Sequence, residues 1–312
     1  MSLNNLCNQT MKLALKIDVD TLRGTLEGVP RLLEVLGKHH AHATFLFSLG
    51  PDHTGRAIKR VFRPGFMKKV SRTSVVEHYG IKTLLYGTVL PGPDIGKRGA
   101  DIMRSVQRAG HECGIHTYDH IKWQDYVVTQ DESWTEHEMQ KAYDRYKEIF
   151  GKPAKTHGAA GWQMNRHAYR MEQQLGFEYC SDGRGAFPFI PIVNGEVIPC
   201  PQLPTTLPTL DELIGIDAIT SDNVAEHILK LTHDSKIDHV YTLHAELEGM
   251  KLLPAFDALL DGWREQGFEL CTTEELFRSL DVNTLPYCEA SNGEIAGRSG
   301  TLALQGKLFL AN

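Results

Sequence analysis

The stretch Cys113-Gly114-Ile115-His116-Thr117-Tyr118-Asp119-His120 ends a short apolar run and places two histidines four residues apart. Positions i and i+4 lie on one face of a helical turn, so we expect His116 and His120 to point the same way. Two imidazoles held together in this way can bind one metal ion. A histidine pair is equally compatible with a polar surface loop, so the rest of the chain must decide between these interpretations.

Two other segments end in side chains of similar chemistry. Lys16-Ile17-Asp18-Val19-Asp20 is a strand-like run that ends in carboxylates, and Tyr241-Thr242-Leu243-His244-Ala245-Glu246 is another that delivers a histidine. Catalytic groups of α/β barrels collect at the carboxyl ends of their parallel strands. We therefore expect the three segments to meet at one site.

Strands and helices alternate along most of the chain, which is typical of parallel βαβ units. Strands are predicted at 13–19, 43–49, 112–115, 155–160, 177–181, 239–243 and 268–271, and helices at 28–39, 99–109, 135–150, 165–175, 222–233, 254–266 and 273–280. About seven strands around one core favour a single α/β barrel-like domain. The alternative is a doubly wound open sheet, which usually has a glycine-rich phosphate loop where this chain has Asp18 and Asp20.

The same pattern sets the expected domain boundaries. Residues 1–12 form an N-terminal extension, 13–280 the catalytic domain with an insertion at 50–99, and 281–312 a C-terminal tail without a clear period. The helix at 135–150 is predicted to begin with a capping box, because an acid, Glu138, lies three residues after Thr135.

The composition is that of an ordinary globular protein and limits the functional classes. Hydrophobic residues make up 41% and charged residues 23% of the chain, and a net charge of −6 argues against nucleic-acid binding. No apolar run approaches the ~20 residues of a membrane span, and residues 1–12 lack the apolar core of a signal peptide. The six cysteines are scattered without a CxxC pair, which favours reduced thiols in the cytosol.

Asp20, His116 and His120 make a two-histidine, one-carboxylate set. A divalent catalytic metal often takes three such ligands and leaves positions open for water and substrate. Asp18 lies two residues before Asp20, so strand alternation places both carboxylates on one side, and Asp18 stays free to accept a proton. His244, at another strand end, is placed to protonate a leaving amine. A metal, a base and an acid together suit the hydrolysis of an amide.

Two other classes of protein remain open at this point. Non-haem iron oxygenases use the same two-histidine, one-carboxylate triad, although usually on an all-β fold, whereas this chain alternates strands with helices. A binding protein with a vestigial site is the second alternative. The presence of all five polar residues argues against it.

These residues resemble the motifs of a known family. Asp18-x-Asp20, His116-x-x-x-His120 and Leu243-His244 resemble the first, second and fifth motifs of the polysaccharide deacetylase family of carbohydrate esterases. The resemblance covers roughly residues 13–280 and implies a distorted (β/α)7 barrel with metal-dependent N-deacylase activity. The roles that it implies are those of a general base, a general acid and three metal ligands: Asp18, His244, and Asp20 with His116 and His120.

The family's third motif, Arg-x-Pro-Tyr, is absent, and its place holds Ala159-Ala160-Gly161-Trp162. Arg184 is the candidate to replace the missing arginine in holding Asp18. Four residues in or near the matched stretches are expected to bind substrate or support the site: Trp162, Asp182, Arg184 and Glu246.

Three longer stretches, residues 16–31, 181–189 and 244–249, resemble one branch of the family, which removes a formyl group from an amino sugar carried by a polyprenyl phosphate. This resemblance implies a divalent metal ion (zinc, cobalt, manganese or nickel) and a lipid-linked sugar substrate. It also implies peripheral binding to the cytoplasmic face of the inner membrane. Deacetylation of another amino sugar or of peptidoglycan is the alternative.

The insertion offers a means of binding a membrane. Between His53 and Val76 there are seven basic residues and no acid. Five apolar residues recur there at helical spacing: Ile58, Val61, Phe62, Phe66 and Val70. A basic amphipathic helix of this kind can lie in the membrane interface. The alternative is a helix packed on the barrel with a solvated basic face.

Overall fold

The computed structural model describes residues 10–57 and 80–309, and its centre is a curved sheet of seven parallel strands. The strands of the described chain are β1 (Lys12–Val19), β2 (Thr44–Ser48), β3 (Glu112–Thr117), β4 (Thr156–His157), β5 (Tyr179–Cys180), β6 (Ile190–Val193), β7 (Glu196–Val197), β8 (His239–His244), β9 (Glu269–Cys271), β10 (Tyr287–Glu294) and β11 (Thr301–Leu308). The central order is β5-β4-β3-β2-β1-β8, with β9 beside the first residues of β1. The predicted distorted (β/α)7 barrel is confirmed.

Strand β1 shows why this sheet is buried on both faces. Leu13, Leu15 and Ile17 are fully buried and pack into the main hydrophobic core. The alternate residues Lys16 and Asp18 are also buried, but they face the polar interior of the barrel. Helices on the outside of a parallel sheet cover one face, so only the inner face is left for a polar site.

An irregular segment completes the barrel between β5 and β8. Leu203 N–H donates to the carbonyl oxygen of Cys180 on β5 at 2.8 Å, and Thr206 N–H donates to that of Val240 on β8 at 3.0 Å. Residues 199–208 contain four prolines, which lack the N–H that a regular strand needs. The segment therefore joins both neighbours without forming a regular strand, and this is where the barrel is distorted.

The helices connect successive strands of the sheet. They are α1 (Val29–Lys38), α2 (Ile81–Leu85), α3 (Ile95–Arg108), α4 (His120–Tyr126), α5 (Glu132–Phe150), α6 (Arg166–Gln174), α7 (Leu210–Leu213), α8 (Val224–Thr232), α9 (Leu253–Glu265) and α10 (Thr273–Arg278). Most of the predicted helices agree with these bounds within about two residues, and α10 has a complete capping box between Thr272 and Glu275.

Two helices begin earlier than predicted. Helix α3 starts at Ile95 rather than Gly99, because the side chain of Asp94 accepts a hydrogen bond from Lys97 N–H and caps it. Helix α5 starts at Glu132, with Asp131 accepting from Trp134 N–H. The capping box predicted at Thr135 is wrong, since Thr135 lies inside the helix. At the N-terminus of each helix, an aspartate cap four or five residues before the predicted start fixes the earlier beginning.

The C-terminal segment predicted as a tail forms a β-hairpin instead. Strands β10 and β11 pair antiparallel, and β10 also pairs with β6, which gives a second sheet of order β11-β10-β6-β7. Leu302 and Ala303 on β11 are buried. The tail prediction was wrong because the stabilising partner, β6, lies about 100 residues upstream, and no local period reports such a pairing.

The membrane-binding prediction rests largely on residues 58–79, which lie outside the described residues, and it stays a prediction. Residues 50–57 and 80–99 frame that stretch: Asp52 accepts a hydrogen bond from Leu22 N–H at 3.0 Å, and Gly55 N–H donates to the Tyr86 carbonyl at 2.9 Å. Within the described part of the chain, no helix combines the length and the apolar character needed to span a membrane.

Candidate metal centre

The predicted site residues meet at the carboxyl ends of β1, β3 and β8. Asp18 lies near the end of β1 and is the register partner of His244, the last residue of β8. Asp20 follows β1 directly, and His116 lies near the end of β3. The expectation that three distant segments form one site is therefore met, because parallel strands all end at the same edge of their sheet.

Asp20 lies between the two histidines. Its Oδ1 is 3.2 Å from Nε2 of His116 and 3.4 Å from Nε2 of His120, and the ring centroids of the histidines are 5.2 Å apart. The spacing of the two histidines predicted that they share one helical turn, and this prediction is wrong. His116 belongs to β3, and His120 is the first residue of α4, so the chain turns between them and still brings both rings to Asp20.

Hydrogen bonding orients His116 for metal binding. Its Nδ1 lies 2.7 Å from the carbonyl oxygen of Gly158, so Nδ1–H donates there and Nε2 is the nitrogen left that could bind a metal. Burial disfavours the charged ring, but the carboxylates of Asp18 and Asp20 outweigh it and raise the pKa of His116. Burial also opposes ionisation of Asp20, yet His120 and His116 outweigh it and hold the pKa of Asp20 far below its usual range.

The donor set fits a divalent metal ion. Asp20, His116 and His120 each offer one ligand atom, and these atoms lie within 4.8 Å of one another. The Oδ1 atoms of Asp18 and Asp20 are buried and have no hydrogen-bond partner among the residues described. Such orphaned carboxylate oxygens are costly unless a cation satisfies them, which is what a metal at this position would do.

Lys16, and not Arg184, is the cation beside Asp18. Lys16 Nζ lies 3.7 Å from Oδ2 of Asp18 and donates to the Ser181 carbonyl at 2.8 Å. Arg184 instead donates to Glu212 at 2.6 Å and to the Leu207 carbonyl at 2.9 Å. The role predicted for Arg184 is therefore wrong. Residues i and i+2 of a strand face the same side, so β1 itself supplies the counter-ion.

Glu246 holds the turn that carries Asp20. Its Oε1 accepts from Asp20 N–H at 3.1 Å, from Thr21 N–H at 2.8 Å and from the Thr21 hydroxyl at 2.7 Å. Burial and the nearby Asp20 carboxylate raise the pKa of Glu246 well above its usual range. Gly24 packs so closely that a Cβ there would lie 1.9 Å from Oε1 of Glu246. Glu246 thus supports the site through the backbone of Asp20.

Asp182 lies behind His116 and holds the backbone next to it. Its Oδ1 accepts from Ala159 N–H at 2.8 Å and lies 2.7 Å from Nδ1 of His157, and its Oδ2 accepts from Gln202 at 2.8 Å. Glu172 joins the same fully buried cluster through His157 and Gln202. Burial would raise the pKa of Asp182, but His157 outweighs it and lowers that pKa. These bonds fix the turn whose Gly158 carbonyl orients His116.

Trp162 packs beside His244. The two rings are perpendicular with centroids 6.4 Å apart, and the indole N–H donates to the Thr205 hydroxyl at 3.4 Å. Trp162 is only 2% exposed, and its backbone is left-handed with φ 53°. A left-handed conformation is unusual for a bulky residue and is often found at functional sites. The buried ring offers a substrate little surface and packs against His244 instead.

Sequence reasoning missed several residues of this site. Alternation along β1 is the signal that would have found Lys16, which lies on the same face as Asp18. Nδ1 of His53 lies 2.6 Å from Oδ2 of Asp119, the residue that caps helix α4 and so places His120. Arg298 lies 4.5 Å from the Trp162 ring, and nothing in its own stretch of sequence points to that contact.

Known proteins resemble this chain over most of its length. The polysaccharide deacetylase family model matches residues 12–180. A protein of Shewanella sediminis, named as a probable 4-deoxy-4-formamido-L-arabinose-phosphoundecaprenol deformylase, is 40% identical over 298 residues, which cover 96% of each chain. A protein of the same name from Wigglesworthia glossinidia brevipalpis is 32% identical over 92% of this chain and 99% of its own.

A crystal structure shows the same fold. A candidate polysaccharide deacetylase from Mycobacterium smegmatis superposes with a TM-score of 0.63 at 19% identity, over 95% of this chain and 98% of the other. At this identity the likeness concerns the fold.

Proposed function

The chain belongs to the polysaccharide deacetylase family, and from this premise we propose that it deformylates 4-deoxy-4-formamido-L-arabinose linked to undecaprenyl phosphate. The observation that carries the proposal is the 40% identity to a deformylase of that name over nearly the whole of both chains. The reaction is hydrolysis of an amide C–N bond, so the protein is a hydrolase. It frees the sugar amine that aminoarabinose modification of lipid A uses in polymyxin resistance.

Asp20, His116 and His120 would hold the divalent metal ion on which this family depends. When bound, the ion supplies a Lewis acid for the formamide carbonyl and lowers the pKa of water. Nitrogen and oxygen donors of this kind accept zinc, cobalt, nickel and manganese, so we propose one of these four. Metal analysis of the purified protein, with reconstitution of the stripped form by each ion, would identify it.

Asp18 and His244 divide the proton transfers. Asp18 is the base: its Oδ1 is buried without a hydrogen bond in the described chain, and Nζ of Lys16 lies 3.7 Å from its Oδ2. It can take the proton of the attacking water. His244 lies opposite Asp18 across the β1–β8 pair and gives a proton to the amine that leaves. The products are formate and the free amino sugar.

The decisive experiment is mass spectrometry of a lipid-linked formamido-arabinose incubated with metal-loaded protein. Loss of the formyl group, with one formate released for each amine formed, would support the assignment. Persistence of the substrate with active release of acetate from an acetamido sugar would contradict it and favour deacetylation.

We also propose that residues 53–76 bring the enzyme to the membrane surface where such a substrate lies. The support is the charge pattern of seven basic residues without an acid, and each is worth about 1 kcal/mol near an anionic surface. Replacing Lys68 and Lys69 by Glu, or Phe62 and Phe66 by Asp, should release the protein from anionic liposomes. Hydrolysis of a water-soluble formamido sugar should survive. Unchanged sedimentation with the liposomes would rule out this segment as the anchor.

A further inference from the structure

The C-terminal hairpin contacts the residues that pack behind His244. Its strand β11 is tied to the site from two sides. Arg184 N–H donates to the Ala303 carbonyl at 2.9 Å, and the Gln163 side chain donates to the Thr301 carbonyl at 2.7 Å. Gln163 directly follows Trp162 in the chain. The hairpin is therefore bound next to residues 159–162, the segment that replaces the family's third motif.

Arg298 lies in the turn between β10 and β11 and contacts the Trp162 ring. The guanidinium carbon lies 4.5 Å from the ring centroid, within the range of a cation–π contact. Gly297 makes this approach possible, because it has φ 84° and a Cβ there would lie 2.3 Å from the Glu212 carbonyl oxygen. Only glycine allows the turn to come so close to helix α7.

The guanidinium of Arg298 is held from the other side by helix α7. Its Nε donates to Oε1 of Glu212 at 2.7 Å, and a second nitrogen donates to the Thr209 hydroxyl at 3.2 Å. Glu212 is 1% exposed and also receives Arg184, whose own guanidinium lies 5.2 Å from the Trp162 ring. A buried, doubly paired carboxylate of this kind fixes both arginines in place.

Trp162 in turn contacts His244. Besides the perpendicular ring contact at 6.4 Å, the indole N–H bonds to Thr205, whose hydroxyl lies 2.6 Å from that of Thr242. Thr242 is two residues before His244 on β8, so it faces the same side of the strand. The left-handed backbone of Trp162 is costly by itself and persists only where its surroundings hold it.

We propose that Arg298 is a positioning residue of the active site: it clamps Trp162 against His244 and so orients the ring that protonates the leaving amine. The C-terminal hairpin then contributes to the active site through Arg298 at its turn. This inference rests on the proposed function for the role of His244, but the contact itself can be tested without activity.

The test compares Arg298→Gln with Arg298→Lys and with Gln305→Ala. Gln305 anchors the same hairpin to Ala186 and Phe187, and within the described residues no hydrogen bond or ring contact joins it to Trp162. In Arg298→Gln, kcat should fall about 10- to 100-fold with KM and metal content unchanged, because only orientation is lost. Arg298→Lys keeps the cation and should recover part of kcat. Gln305→Ala should keep the wild-type kcat.

Two further measurements separate positioning from general damage. Adding Arg298→Gln to Trp162→Phe should lower kcat no further than Trp162→Phe alone, since both act through one ring. In NMR spectra of histidine-labelled protein, with His244 assigned by its loss in His244→Gln, Arg298→Gln should move the His244 signal toward its position in Trp162→Phe.

An unmoved His244 signal in Arg298→Gln would overturn the inference, as would additive losses of kcat or an equal loss in Gln305→Ala. If the wild-type protein releases no formate, the proposed function fails, and the NMR measurement still decides whether Arg298 orients His244 through Trp162.

Discussion

Lys16 Nζ lies 3.7 Å from the Asp18 carboxylate, and both side chains are almost completely buried at the inner face of strand β1. The base of the proposed reaction thus carries its own counter-ion two residues upstream. Lys16 also donates to the Ser181 carbonyl, which links β1 to the end of β5. Lys16 therefore lies beside Asp18 inside the barrel whether or not a metal is bound.

Removing Lys16 should cost stability because it leaves a buried carboxylate without its cation. We expect Lys16→Met to lower the free energy of unfolding of the metal-free protein by about 3 kcal/mol. In the double variant Lys16→Met, Asp18→Asn the free energy of unfolding should fall much less, because no uncompensated charge is left. Denaturant titration of EDTA-treated proteins measures both, and an equal loss in the two variants would show that the ion pair is not the cause.

The metal ligands should be needed for chemistry and not for folding. His120→Ala should abolish turnover and bound metal, while the unfolding midpoint of the metal-free protein stays unchanged, because the His120 side chain is 15% exposed and outside the apolar core. His116→Ala is a less clean test, since His116 is buried. Metal analysis and thermal unfolding give the readouts, and His137→Ala on the exposed face of α5 is the control. Global unfolding of His120→Ala would contradict a purely catalytic role.

Asp18 and His244 should produce a bell-shaped dependence of rate on pH. A base must be deprotonated and an acid protonated, so Asp18→Asn should lose the acidic limb and His244→Gln the alkaline limb. Both variants should keep the metal, because neither residue belongs to the three-ligand set. Rate measurements from pH 4 to pH 10 would show this, and an unchanged acidic limb in Asp18→Asn would remove that residue from the mechanism.

Formyl should be preferred over acetyl as the acyl group. One extra methyl in a close-fitting site costs about 1–3 kcal/mol, so kcat/KM should differ by about 10- to 200-fold. Trp162→Phe should lower both rates and leave their ratio unchanged, because the Trp162 ring is buried beneath His244. The measurement is kcat/KM on paired formamido and acetamido sugars, and equal values for the two wild-type reactions would defeat the prediction.

His111 should make the protein sensitive to acid. Burial, with a smaller contribution from His42, lowers the pKa of His111 to about 4, and its Nδ1 accepts a hydrogen bond from Ala43 N–H at 3.2 Å. Between pH 4 and about 6.5 the unfolded state therefore binds more protons than the folded state. The contribution of neutral His111 to the free energy of unfolding is complete above this window and is lost as the pH falls through it.

Protonation of His111 should lower the free energy of unfolding by on the order of 2 kcal/mol between pH 6.5 and pH 4. Replacing His111 by Gln, which can still accept from Ala43 N–H, should flatten the dependence of unfolding free energy on pH in this window. His137→Gln, at an exposed position, should keep the wild-type slope. A slope in His111→Gln that equals the wild-type slope would show that another group is responsible.

Much of the barrel and the core of its site could be predicted from the sequence. Apolar runs such as Leu13–Val19 and Ala43–Leu49 are short and bounded by polar residues, and they do form neighbouring strands. The carboxyl ends of parallel strands share one edge of the sheet, so the residues after these runs had to meet there. Asp20, His116 and His120 are brought together for that reason, although His120 lies at a helix start that the spacing alone did not show.

Only the tertiary structure decided which side chains surround that set. Lys16 rather than Arg184 accompanies Asp18, because Arg184 is held by Glu212 on a helix that sequence patterns did not predict. Arg298 reaches Trp162 from a hairpin that looked like a tail, since β10 gains its order from β6 far upstream. Periodicity reports which face of an element is buried. It carries no information about which distant element covers that face, and such pairings are settled by packing and hydrogen bonding in the folded chain.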